Sequence, residues 1–475
     1  MTVETGSSVS PGTTFELCDM ESSMVPYPIL QYTLVFKESD ELGSRNSTNK
    51  VKVLKDSFSR LTQLYPIVLG HREHENDRNK IIVSEEDLSK ERFFVHHEPS
   101  IAVDEFEKIR CRRDLWPVEV DRLLRERVED VECLFTANVV CFKDNSGYLL
   151  SLSASHIVAD VSAFMILLSQ WASIARKITQ AADDGASLDV SQIMPDNEID
   201  FDHVGFWNKL VAHPKDDHPY VLHINSQDCG DISQIAAKVR EYFTTGAYNG
   251  DRSTLSMRVL HISGKNLERM SAKYNVADDN ERPLHGVHIF YALLWQRHIA
   301  NNLLLRGTEA DHSQLVYLNL IHDIRRITPA PNYVGNAVSP VCVYSTVEDV
   351  LTKPIIETAR MIKSYINSIT PGAVVHCSKA LAETNGVFLP KLMYLQRHPE
   401  SKLVISNASR IPFFTLDFGI GKVIGLHSGK IPVEGMSSWV PHSDGGVELY
   451  YGENDGIYNL LKNDPEFAEF VDFEN

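Results

Sequence analysis

The spacing of apolar side chains changes period twice around one short stretch of the chain. From Leu134 to Phe142 the residues are β-branched or apolar enough for a buried strand, and Asn145-Ser146-Gly147 supplies residues that tolerate positive φ. Tyr148 to Ala154 then reads as the returning strand of a hairpin. Beyond Asp160 the period becomes helical. Val161, Phe164, Leu168, Trp171, Ala175 and Ile178 recur at steps of three and four, which predicts an amphipathic helix stopping near Asp184-Gly185. His156 is therefore expected at a strand-to-helix junction, a place where scaffold meets solvent.

The same reading organises the remainder. Glu16 to Asp19 forms a polar lead into a strand over Ile29 to Phe36, and Val51, Leu54, Phe58, Leu61 and Leu64 predict a helix that Tyr65-Pro66 ends, because proline lacks the amide hydrogen the helix needs. Gly70-His71-Arg72 is expected to turn the chain. From Gln180 to about Asp231, Asp- and Pro-containing runs interrupt short apolar pieces, as in a long crossover between domains. Leu255 to Ile262 then predicts a strand, with one helix from Asn266 and another over Gly286 to Leu305 that carries Trp295. The chain closes on a strand at Val447 to Tyr451 and a helix to Phe470.

At 475 residues, two domains of similar size are the expectation. The boundaries read as 1–200, a linker over 201–235, and 236–475. A net charge of −18 argues against nucleic acid or an anionic membrane as the main partner, so an anionic ligand would need a local cluster of Lys and Arg. The seven cysteines (18, 111, 133, 141, 229, 342 and 377) are odd in number and form no Cys-x-x-Cys pair, the pattern of reduced thiols in a cytoplasmic protein. The first 14 residues contain no apolar signal core, and no apolar run reaches membrane-spanning length. His71 and His74 lack further ligands in their charged surroundings, so no metal is expected.

His156-x-x-x-Asp160 taken alone is weak, since about one such match is expected by chance with 19 histidines. A second match, His213 to Asp217, lies in a hydrophilic stretch with no strand before it and reads as a solvated loop. The wider set is specific. Leu54-Lys-Asp-Ser-Phe-Ser with Tyr65-Pro66 and Gly70-His-Arg72, His156-Ile-Val-Ala-Asp160, Asp323-Ile-Arg325 with Tyr333-Val-Gly335-Asn336-Ala, and Asp417-Phe-Gly419-Ile-Gly421 occur in that order. Together they resemble the plant and fungal BAHD acyltransferases of the HxxxD type, over nearly the whole chain. Ile420 and Ala408 stand where that family usually has tryptophan, Val161 where it has glycine, and the aliphatic Ile420 is similar to the fungal trichothecene acetyltransferase branch.

The resemblance implies an α/β fold of two similar domains like chloramphenicol acetyltransferase, each a mixed sheet with flanking helices, with the active site at their interface. It implies acyl transfer from acyl-CoA, a co-substrate rather than a bound cofactor, to a hydroxyl or amine of a small secondary metabolite, in a monomer. His156 would be the general base, Asp160 a structural partner of Arg325, and Ser406 a hydroxyl near the oxyanion. Asp417, Gly419 and Gly421 would be structural, and Arg410, Lys422 and Lys430 are candidates for the CoA phosphates. A silent relative that only binds a ligand, and an amide-forming enzyme like a condensation domain, are the alternatives. The second usually has another histidine where this chain has Ser155.

Overall fold

In the computed structural model the chain divides into two units, each discontinuous in sequence. The described residues are 10–473 without 19–20, 22–29, 39–46, 76–77, 99, 110–114, 119, 122–132, 186–188, 195, 197–198, 213–254, 276–282, 308–310, 329, 376–401 and 429–433. The first unit takes in Met1–Lys209, Pro329–Ala337 and Ile411–Gly429; the second takes in Leu210–Thr328, Val338–Arg410 and Lys430–Asn475. The strands in chain order are β1 Thr13–Glu16, β2 Leu30–Lys37, β3 His71–Glu75, β4 Arg78–Val83, β5 Phe93–Glu98, β6 Phe135–Phe142, β7 Gly147–Ala154 and β8 Leu255–Ile262. They continue with β9 Leu315–Asp323, β10 Val338–Thr346, β11 Lys402–Asn407, β12 Lys422–Ser428, β13 Met436–Pro441, β14 Val447–Asn454 and β15 Asp472–Phe473.

In the first unit a five-stranded sheet runs β12-β2-β7-β6-β5, antiparallel except for the β5–β6 pair. Both β6 and β7 are buried along their whole length, so Ser151 and Ser153, whose alternation with leucines reads as a half-exposed strand, are buried as well. Asn145 turns the chain between them at φ 54°, the left-handed conformation that asparagine tolerates. The Ser47–Leu64 and Val161–Asp183 helices pack together, with Trp171 donating its indole N–H to Ser57 Oγ at 2.8 Å and stacking edge-on against Phe58. Gly185 at φ 63° ends the second helix where the sequence expects it.

In the second unit a seven-stranded mixed sheet runs β10-β9-β11-β13-β14-β8-β15, with β11 parallel to both of its neighbours. The Gly286–Arg306 helix supplies Ile289, Phe290, Leu293, Leu294 and Trp295 to the core that also takes in Leu318, Leu403, Trp439 and Leu449.

Several expectations are corrected. His71 and Arg72 do not turn the chain: they begin β3, which pairs with β4 and, through it, β1 of the N-terminal region in a small three-stranded sheet. The expected linker begins with a helix, His203–Val211. The closing helix is two, Asp455–Asn463 and Pro465–Ala468, because Pro465 cannot continue the first and Asp464 caps the second. The segment carrying Asp417 to Gly421, expected in the C-terminal domain, leads into β12, which pairs with β2 of the first unit.

Candidate active site

The imidazole of His156 lies in a tight turn after β7, the central strand of its sheet, and is half-buried. Asn336, fully buried, meets it from the Pro329–Ala337 segment. The Asn336 amide nitrogen donates to the backbone carbonyls of His156 and, at 3.5 Å, of Ile157, while its Oδ1 lies 2.9 Å from His156 Nδ1. Carbonyl oxygens only accept, so the amide NH2 must face them and Oδ1 must face the ring. An acceptor opposite Nδ1 places the ring proton there, which makes Nε2 the basic nitrogen of the neutral imidazole. The tautomer follows from the network alone.

Asp160 does not share a helical face with His156, because residues 156–160 precede the helix. It is the N-cap of the Val161–Asp183 helix: one carboxylate oxygen accepts from Ala163 N–H at 2.8 Å and the other from Ala337 N–H at 2.7 Å, while Asp160 N–H reaches the Gly335 carbonyl. One buried side chain thus fastens the helix start to the strap that presents Asn336.

The other end of that strap is held by Tyr333. Its ring stacks on Phe206 with centroids 4.0 Å apart, and its hydroxyl takes a hydrogen bond from His203 Nδ1 at 2.8 Å and donates to Glu21. Burial works to raise the Glu21 pKa. The charge and hydrogen bond of His203, with hydrogen bonds from Cys18 and Tyr333, outweigh it and hold the carboxyl below its usual range. A Cβ on Gly335 would collide with the Tyr333 phenol, so the turn requires glycine there.

Asp417 is exposed and accepts from Gly419 N–H at 2.8 Å, closing a turn in which Gly419 has φ 71° and Gly421 φ 146°. A Cβ on Gly421 would lie 2.5 Å from the Lys37 carbonyl. The turn drives Phe418 edge-on against Trp171 and Phe36, burial that stabilises by roughly 1.5–3 kcal/mol.

A family model described as "Transferase family" matches residues 3–452. The chain belongs to the Transferase family, the BAHD acyltransferases. Agmatine coumaroyltransferase-1 of Hordeum vulgare is 21% identical over 224 residues, 45% of this chain, and the chain spans about half (49%) of that relative. The structure of F. sporotrichioides TRI101 complexed with coenzyme A and T-2 matches with a TM-score of 0.65 at 17% identity, covering 97% of this chain and 99% of that one. Vinorine synthase matches with a TM-score of 0.61 at 13% identity, covering 98% and 95%. These likenesses place the fold in the two-domain, mixed α/β class of the Transferase family. No helix among the described residues is long and apolar enough to cross a membrane.

The remaining expected site residues of this Transferase family chain are scattered over both units. Ser406 is half-buried on β11, opposite Ser438 of β13. Arg325 is buried and donates to Asp323 at 3.2 Å. Lys422 is exposed at the start of β12, and Lys430 lies outside the described residues, as does His213 to Asp217. Arg410, exposed, belongs to a positive field within the second unit. Burial lowers Lys363, helped by Arg410, and burial with Lys363, Arg410 and His285 pushes His288 down to about 4. Arg410 and Lys363 therefore lie within each other's field in the second unit.

Asn336, Tyr333, Glu21 and His203 carry parts of the site that sequence reasoning missed. Asn336 and Tyr333 stood inside a quoted motif, and the usable signal was chemical: an asparagine amide can donate to a carbonyl and accept from a ring N–H at once.

Proposed function

We propose that this protein transfers an acyl group from a CoA thioester to a hydroxyl or amine of a small-molecule acceptor. The observation that carries the reading is the His156–Asn336 pair, which leaves Nε2 as the base. Nε2 takes the proton of the acceptor as its oxygen or nitrogen attacks the thioester carbonyl. The resulting imidazolium returns that proton to the departing CoA thiolate, so the ring ends as it began. No covalent acyl-protein is needed, and both substrates are bound when the bond forms.

Ser406 is assigned to the oxyanion and Asp160 to an ion pair with Arg325, both from the family resemblance. Arg410, Lys422 and Lys430 are assigned to CoA phosphates, with Lys363 as an addition drawn from its shared field with Arg410. The CoA complexes of structural neighbours support the choice of donor. Incubating the protein with several acyl-CoAs and a metabolite extract, with mass detection of acylated products and free CoA, tests the reading. Free CoA and acylated product rising together is the expected result, and no product with any donor would overturn it.

A further inference from the structure

Within the second unit, one end of the seven-stranded sheet gathers two imidazoles and three carboxylates from four elements. The β13–β14 turn is closed by Gly446 N–H donating to Asp444 Oδ1 at 2.7 Å, and it carries His442 and Asp444. His261 on β8 is the cross-strand neighbour of Glu448 on β14 and of Asp472 on β15. His442 Nδ1 lies 2.9 Å from Asp444 Oδ1, and His261 Nε2 lies 3.1 Å from Asp444 Oδ2. The two rings are 4.2 Å apart, and one ligand atom from each of the three residues falls within 4.8 Å of the others.

Two features separate this from an ordinary hydrogen-bonded histidine cluster. First, buried His261 Nε2 makes no hydrogen bond among the described residues although Asp444 Oδ2 is 3.1 Å away. The nitrogen and the oxygen therefore lie side by side without the ring pointing at the carboxylate. Neighbouring ligands around a tetrahedral ion with bonds of about 2.0–2.1 Å are spaced about 3.3 Å apart, close to this separation. Second, the far nitrogen of each ring has its own carboxylate. His261 Nδ1 lies 3.4 Å from Asp472 Oδ2, and His442 Nε2 lies 3.7 Å from Oε1 of Glu448, which is only 4% exposed. Metal-bound histidines characteristically place a carboxylate opposite the second ring nitrogen, where it fixes the tautomer and raises the basicity of the ligating one.

The geometry points to a divalent transition-metal site, of the zinc or cobalt class, formed by His261, His442 and Asp444, with Asp472 and Glu448 orienting the two imidazoles. Two nitrogens and one carboxylate oxygen suit such ions better than the all-oxygen sets that calcium and magnesium prefer. Asp444 and Gly445 also line a cleft of about 640 Å³ with Ser271 and Asn275, so the carboxylate end of the group reaches an open cleft. Bound metal would tie the β13–β14 turn to β8 and stabilise that end of the sheet. It has no part in the acyl-transfer reading, and either can fail without the other.

The test uses the full-length protein, freed of metal with a chelator and titrated with Co²⁺. One equivalent should bind with the strong visible absorption of a four- or five-coordinate ion, and Zn²⁺ should displace it and raise the melting temperature. His261→Gln and His442→Gln should each remove that equivalent or weaken it at least about 100-fold, and Asp472→Asn should weaken it about 10-fold. Circular dichroism confirms that the half-buried substitutions fold, and Asp472→Asn, at an exposed position, is the control if they do not. Absence of saturable one-to-one binding, or unchanged binding in the histidine variants, would overturn the proposal.

Discussion

Replacing Asn336 by alanine separates the orientation of His156 from its presence. The substitution removes the acceptor opposite Nδ1 at 2.9 Å and the donors to the carbonyls of His156 and Ile157. A net hydrogen bond is worth about 0.5–1.5 kcal/mol, which at about 1.4 kcal/mol per factor of ten is a fall of roughly 2- to 12-fold in the population of the productive ring. The two carbonyls lose their donor in a buried setting, costing about 1–3 kcal/mol for each left unsatisfied, so stability should drop by about 2–6 kcal/mol if both are stranded. Asn336→Asp sharpens the contrast: a carboxylate still accepts from Nδ1–H but cannot donate to the carbonyls, so it should destabilise more and keep the Nδ1–H tautomer. Turnover, urea unfolding and the ¹⁵N shifts of the His156 ring would be measured together. An alanine variant with unchanged kcat and unchanged ring shifts would refute the orienting role.

Other outcomes follow from the same geometry. Ser406→Ala should lower kcat by about 10²- to 10³-fold and leave CoA binding alone, since an oxyanion donor acts on charge present only in the transition state; an unchanged rate removes it from the site. Asp160→Ala should cost at least the 0.5–2 kcal/mol of a lost N-cap, and in a double-mutant cycle with Arg325→Ala the losses should not add; additivity contradicts the proposed pairing. For Asp87, burial works to raise the pKa, but hydrogen bonds from Ser84 and His71 hold it at about 2 against an ordinary 3.8. Its folded-state pKa is depressed, so its contribution is present above about pH 3.8 and lost as the pH falls towards 2. Melting curves over pH 5 to 2 should show that loss, and Asp87→Asn should flatten it; parallel curves would contradict the assignment.

What the chain reveals in advance depends on how local the cause is. The β6–β7 hairpin, the long helix after Asp160 and the strand Leu255–Ile262 are set by side-chain period and turn residues, and the structure forms them within a residue or so. β3 and β4 escaped because His71-Arg-Glu-His-Glu75 carries no apolar alternation; its pairing is fixed by a neighbouring strand whose Ile81 and Val83 fill the core. The return of residues 329–337 and 411–429 to the first unit is likewise a matter of long-range pairing, which no local pattern records. His156 was legible because a strand delivers it to a helix start. Asn336 and Glu21 were not, since each matters only through a partner far away in sequence.

The most direct measurement is turnover by His156→Ala with an acyl-CoA and acceptor that the wild-type protein uses. CoA release and acylated product would be followed, with CoA binding and thermal unfolding measured on the same samples. The account predicts a folded protein that still binds CoA and is slower by about 10²- to 10⁴-fold. Near-normal turnover in that folded variant would contradict it.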